Sequence, residues 1–324
     1  MEQDVDAHTC VPQSLMIVGA GAVGLAIASR IPKSIPLTVV ARGERADALC
    51  RHAIAVKPFS LPPHLAVVNS LNGNTVAGQK FIILAVKAFS LEEILPILAP
   101  LLAPDQTIVV ICNGLNIYFD SATHLRRGQP LVRALAYFGA YFESPGTLVC
   151  SNTLQLEIAS ASTHAKARDD FNSLAASAGI TCTVAHNVAE AEWRKVLTNA
   201  PVNLIASAHN GPNRVIYESQ EALEEFHLVT AEVRAVAARE GFNLASPTDL
   251  DILARLQLYK DNINSTLIDL RGNRPTELPH IVGRIQSLGK SYGVATPAIE
   301  KLLKKISSRF GGMAQLRHGT SCTR

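Results

Sequence analysis

The sequence predicts an α/β domain of mostly parallel strands followed by an all-α domain. Two observations carry this. Short apolar runs separated by turn residues fill the first half. Beyond His186, apolar residues instead recur at three- and four-residue spacing, and no strand is legible. A chain of 324 residues is also too long for one small core.

The first run, Ser14 to Val18, leads into Gly19-Ala20-Gly21-Ala22-Val23-Gly24, which opens a helix read as Gly24 to Ile31. This is GxGxxG between a strand and a helix. The first glycine makes the turn, the second admits a pyrophosphate, and the third lets the helix pack on the strand. The second strand, Leu37 to Ala41, ends in Arg42. A guanidinium there forks onto a 2′-phosphate, where an NAD-preferring fold places a carboxylate. The expected cofactor is therefore NADPH, with Glu44 as the one counter-signal.

Phe81 to Val86 and Thr107 to Cys112 read as strands covered on both faces. Lys87 follows the first, and Asn113-Gly114 the second. Ligands bind at the C-terminal edges of such sheets, so Lys87 is expected on a phosphate. Asn113 is expected on the nicotinamide or a substrate oxygen. Leu131 to Phe138, Thr147 to Cys150, Thr153 to Ala159 and Ile180 to Ala185 read as further strands, with a helix from His164 to Ala178.

In the second half, Glu190 to Asn213 places Lys195, Asn199 and Asn203 one helical turn apart, beside the apolar Trp193, Val196, Leu197, Ala200 and Leu204. Buried groups of this kind need partners, and a polar ligand supplies them. The alternative is an ordinary helix with Lys195 solvated and paired to Glu192. Pro201 predicts a bend, and Asn210 to Asn213 a turn. Ser219 caps the next helix, which stops before Gly241. Pro247 and Thr248 open another, with Leu250, Leu253, Leu256 and Leu258 as its apolar positions. Ser265 lies near the start of a short piece. Thr276 caps a helix from Glu277 to Tyr292, and Thr296-Pro297 open the last.

The totals exclude several classes. Net charge is +3 without a basic cluster, which argues against nucleic acid. No apolar run reaches the roughly 20 residues that span a bilayer. The six cysteines form no CxxC pair, and the ten histidines show no ligand spacing. Reduced thiols in the cytoplasm are expected, and no metal site. No interface stripe is legible, so a homodimer stays open.

Taken together, the GxGxxG segment, Lys87 in VKAF, CNG at 112–114, WRKxxxNxxxN at 193–203, NGPN at 210–213 and NSTLIDLRGNRPTELPHIVG at 264–283 resemble the ketopantoate reductases (2-dehydropantoate 2-reductases). The resemblance runs through residues 14–306. It implies a Rossmann-type NADP-binding domain over 14–186 and a helical substrate domain over 187–310, with the active site in the cleft between them. Residues 1–13 would be a flexible extension and 311–324 a disordered tail. It implies that Lys195 is catalytic and that Glu277 grips a substrate hydroxyl and helps place the lysine. Asn199, Asn203 and Asn213 would bind substrate or hold Lys195. Ser265 would meet the substrate carboxylate, and Asn113 would lie near the reacting carbonyl. Arg42 and Lys87 would contact the 2′-phosphate side of NADPH. The implied reaction reduces ketopantoate, a small-molecule substrate, to (R)-pantoate on the route to pantothenate and coenzyme A. Two departures stand out. Leu115-Asn116 follows CNG where many members carry a further glycine, and His209 carries no family role.

Overall fold

The computed structural model describes residues 14–311. The expectations for the N-terminal extension and the tail, and Cys10 and Cys322, fall outside the described residues. The chain divides into two compact units. The first holds every strand among the described residues. The second holds the chain from Asn187 onward together with Lys87–Glu92 and Asn113–Asp120.

The first unit contains β1 (Leu15–Val18), α1 (Ala22–Ala28), β2 (Leu37–Val40), α2 (Gly43–Cys50), β3 (Ala55–Lys57), β4 (Ala66–Val68), α3 (Gly73–Val76) and β5 (Phe81–Leu84). After β5 come α4 (Ala88–Leu98), β6 (Thr107–Val110) and α5 (Ile117–His124), two helices whose residues are shared between the units. β7 (Leu131–Ala136), β8 (Ala140–Ser144), β9 (Thr147–Cys150), β10 (Leu154–Ala159), α6 (Ala165–Ser177) and β11 (Ile180–Val184) complete it. Eight strands form one sheet in the order β11-β10-β7-β6-β5-β1-β2-β4. Its pairs are parallel except β10 with β7. β1, β5 and β6 are buried at every position, as their unbroken apolar runs require. From β1 the chain builds outward to β2 and β4, then returns to β5 on the other side. The GxGxxG turn after β1 therefore sits where the strand order reverses, which is where open α/β sheets bind ligands.

Several short elements carry no sequence signal: β3, β4, β8, α2, α3 and α5. β3 and β4 span three residues each and are partly exposed, so neither shows an apolar run. Helix α1 begins at Ala22 rather than Gly24, because Gly21 is its N-cap.

The second unit contains α7 (Val188–Ala208), α8 (Val215–Glu218), α9 (Gln220–Arg239), α10 (Asp249–Gln257), α11 (Ser265–Arg271), α12 (Arg284–Tyr292) and α13 (Pro297–Phe310). Among the described residues, no helix is long and apolar enough to cross a membrane. The core packs Trp193, Leu197, Leu204, Phe226, Val233, Ile281 and Ile299 around α7. Asn187 caps α7 by accepting from the Glu190 N–H, and Ser219 caps α9 by accepting from the Ala222 N–H. The helix is continuous through Pro201.

Two expectations change here. Leu250 and Leu258 are 76% and 77% exposed, whereas Leu256 is buried as expected and is joined by Ile252. The buried pair lies one turn apart on the opposite face. The helix expected from Glu277 begins instead with a π-helical turn, Pro279–Gly283, and Glu277 lies before it. Such turns mark local departures from the regular ladder and concentrate at functional sites.

Gly24 enforces the close packing of α1. A Cβ there would lie 2.1 Å from the Gly19 carbonyl oxygen. Gly24→Ala is expected to lose at least about 1–3 kcal/mol of unfolding free energy, the usual cost of overpacking, in denaturant titration.

Candidate active site

In the first unit the fingerprint glycines fit a dinucleotide. Gly19 has φ +109°, and a Cβ on it would meet the Ala85 carbonyl oxygen at 2.5 Å, so only glycine makes this turn. Around Gly21 a Cβ would meet nothing within 4 Å, which leaves an open side for a pyrophosphate. No side chain caps the start of α1, so its first amides stay available to an anion. Ala20, Ala22 and Val23 complete the turn with small or apolar side chains. Arg42 is exposed at the end of β2 and makes no hydrogen bond or ion pair among the described residues. The next arginine, Arg45, donates to the Pro145 carbonyl and stacks on Phe142, so the two are not equivalent.

In the second unit the chemistry gathers on Glu277, which is 5% exposed. Its Oε1 accepts from the Ala88 N–H at 3.2 Å and the Asn113 N–H at 3.3 Å. Its Oε2 accepts from Asn113 Nδ2 at 2.9 Å. The carboxylate thus lies at the N-terminus of α4, where a helix dipole favours it. The Lys87 ammonium is 3.8 Å from Glu277 Oε2 and 2.6 Å from Asp269 Oδ2. Arg274 Nε holds the other Asp269 oxygen at 3.1 Å. Burial pushes the Lys87 pKa down, but the Glu277 and Asp269 carboxylates and the Asp269 hydrogen bond outweigh it and leave the pKa raised. Lys87 thus faces two carboxylates.

Lys195 is buried on α7, not solvated. Asn199, one turn on, donates to Asn113 Oδ1 at 3.3 Å. Asn203 is buried, and its side chain makes no hydrogen bond among the described residues. Asn213 has its N–H on the Asn262 carbonyl and its Nδ2 on the Tyr259 carbonyl, while Oδ1 has no hydrogen-bond partner among the described residues. It thus presents an acceptor rather than the donor a carboxylate would need. Ser265 is the first residue of α11 and exposed. The cap is Asn264, which accepts from the Leu267 N–H, so the Ser265 hydroxyl has no capping duty. Asn264 Nδ2 also reaches the Val202 carbonyl at 3.4 Å, tying the start of α11 to the Asn203 turn of α7.

Asp269, upstream of the RPTE block, joins this set through its ion pairs with Lys87 and Arg274. Arg274 and His280 join it without having been singled out. The buried Nε2 of His280 has no hydrogen-bond partner among the described residues, and the His280 carbonyl accepts from the Leu115 N–H at 2.9 Å. Among other clusters, His209 pairs with Glu225 at 2.8 Å. With Glu221 they bring ligand-type atoms within 4.8 Å of one another. Lys301 and Lys305 already supply that cluster with positive charge.

Burial holds the His280 pKa below the usual histidine value, helped by Arg284 and opposed by Glu92, Glu277 and Asp120. The unfolded chain then takes up this proton first, so stability falls as pH drops below about 6.5. Unfolding free energy measured from pH 7 to 5 should fall less steeply for His280→Asn than for the native protein. Asp269→Asn leaves Lys87 with one carboxylate. Since Lys87 is 36% exposed, a loss of about 1–2 kcal/mol is expected in denaturant titration rather than the full cost of a buried pair.

Comparison with known proteins agrees with this layout. A family model described as ketopantoate reductase PanE/ApbA matches residues 15–163, and its C-terminal companion matches residues 187–309. The 2-dehydropantoate 2-reductase of Salmonella typhimurium is 26% identical over 287 residues, covering 81% of this chain and 90% of that protein. The structure of 2-dehydropantoate 2-reductase from Geobacter metallireducens superposes with a TM-score of 0.82 at 20% identity, covering 91% of this chain and 99% of that one. A D-mandelate dehydrogenase with NADH and anilino(oxo)acetate superposes with a TM-score of 0.80 at 20% identity, covering 92% and 98%. With its α/β and helical units both matched in order, the chain belongs to the ketopantoate reductase family.

Proposed function

We propose that this protein reduces 2-dehydropantoate to (R)-pantoate with NADPH in the cytoplasm, on the route to pantothenate, and that Lys195 is the general acid. The observation that carries this reading is a buried lysine followed one turn later by Asn199, which hydrogen-bonds Asn113, itself bonded to Glu277. When bound, the nicotinamide supplies the hydride. The remaining work falls to the side chains. As the substrate carbonyl is reduced, negative charge grows on its oxygen. The Lys195 ammonium stabilises that charge and delivers the proton. Asn199 holds the ammonium in place. Ser265 and Asn203 donate to the substrate carboxylate, and Asn213, with its free oxygen, suits a hydroxyl. Glu277 already accepts three hydrogen bonds, so about one acceptor position remains for a substrate hydroxyl. Gly19 to Gly24 carry the pyrophosphate, and Arg42 the 2′-phosphate.

That crowding of Glu277 favours a second reading, in which the substrate is a 2-oxo acid lacking the hydroxyl. Relative kcat/KM across 2-oxo acids with and without a 4-hydroxyl separates the two.

Lys195→Ala should lower turnover by about 10²–10⁴-fold, the usual worth of a general acid, with the fold intact by circular dichroism. Near-native turnover in that variant overturns the mechanism. Glu277→Ala should lose turnover by orders of magnitude as well. For Arg42→Ala, loss of a charge-assisted contact worth about 1.5–3 kcal/mol should cut the NADPH-over-NADH preference about ten- to a hundredfold. An unchanged ratio of kcat/KM values contradicts the assignment of Arg42.

A further inference from the structure

Arg133 on β7 is fully buried, and the proposed mechanism makes no use of it. A guanidinium taken out of water needs acceptors for its donors. Nη1 donates to the Val110 carbonyl at 3.0 Å and to the Ala134 carbonyl at 2.8 Å, and Nη2 donates to the Cys112 carbonyl at 2.7 Å. These acceptors belong to two neighbouring strands. The paired register of β6 and β7 ends at Val110 and Arg133. Beyond that pair β6 stops, while β7 runs on to Ala136 against β10. A regular parallel ladder would next join Cys112 to Ala134. At that level the Arg133 guanidinium spans the two strands and donates to both. A planar fork suits two separate acceptors in a way that a point-like ammonium does not.

This place is the C-terminal edge of the sheet, where parting strands open a crevice for a ligand. All of these residues lie in the first unit. The strand order indicates which part of a dinucleotide reaches them. The pyrophosphate belongs at the turn after β1, and Arg42 after β2 marks the adenosine side. β5, β6 and β7 lie on the other side of β1, so the nicotinamide half extends toward them. We propose that Arg133 is a positioning residue for the nicotinamide half of the cofactor: its guanidinium bridges the Ala134 and Cys112 carbonyls and fixes the gap where β6 leaves β7. The inference rests on the dinucleotide reading above, but not on which 2-oxo acid is reduced.

The test is binding rather than turnover. Isothermal titration calorimetry compares NADPH with 2′-phospho-ADP-ribose, which carries the adenosine, the 2′-phosphate and the pyrophosphate but no nicotinamide. The native protein should bind both. Arg133→Lys keeps the charge and loses the fork. It should weaken NADPH binding about tenfold or more, the worth of one charge-assisted hydrogen bond, and leave 2′-phospho-ADP-ribose within about twofold. An arginine that only supports the sheet would weaken both compounds alike or neither, and either result overturns the proposal. Should Arg133→Lys fail to fold, Arg133→Gln, which keeps one donor group, is read in the same way. Failure of both variants to fold makes Arg133 a residue of the fold alone and also overturns the proposal. If the native protein binds neither compound, the dinucleotide reading itself fails and takes this inference with it.

Discussion

The second unit depends on one buried carboxylate. Glu277 lies outside its own helix and uses its side chain to fasten segments far apart in the chain. It accepts from the start of α4 through Ala88 and from the loop after β6 through Asn113. Through Asn113 it also reaches Asn199 on α7. A carboxylate removed from water demands such partners, because an unpaired charge there would cost far more than any one of these bonds returns. The π-helical turn after Glu277 fits the same constraint. Its carbonyl receives the His280 and Ile281 amides while its side chain binds Ala88 and Asn113.

The cation-rich surroundings of that carboxylate reorder the assignments drawn from sequence. Lys87 and Arg274 both serve Asp269, and Lys87 also faces Glu277. Two cations therefore face two carboxylates in this cluster. Arg42, by contrast, sits exposed in the other unit with no partner among the described residues, so an anionic ligand there meets an uncommitted guanidinium. A strand-end lysine and a strand-end arginine look alike in sequence. Their physical roles separate only when the partners are known.

Much of the fold was legible because strong periodicity is local. The unbroken apolar runs of β1, β5 and β6, the three-and-four spacing of α9, and the cap Ser219 each act within a few residues. β3 and β4 are short and partly exposed, so they show neither an apolar run nor a period. The exposed Leu250 and Leu258 gave α10 a false face, because side-chain hydrophobicity alone does not say which stripe meets the core. At the candidate site, Lys195, Asn199 and Asn203 were legible through their spacing on one helix. Arg274 and His280 were not, because their significance lies in contacts with Asp269 and with the loop at Gly114 and Leu115. The capping role of Asn264 rather than Ser265 likewise depends on a single rotation of the chain at the start of α11.

The most direct test of the account is steady-state oxidation of NADPH by the purified native protein with 2-dehydropantoate, beside NADH and beside 2-oxo acids that lack the hydroxyl. The account predicts rapid turnover, with the highest kcat/KM for the pair NADPH and 2-dehydropantoate. Efficient turnover of a hydroxyl-free 2-oxo acid with 2-dehydropantoate inert, or binding of NADPH with no oxidation by any 2-oxo acid, would contradict it.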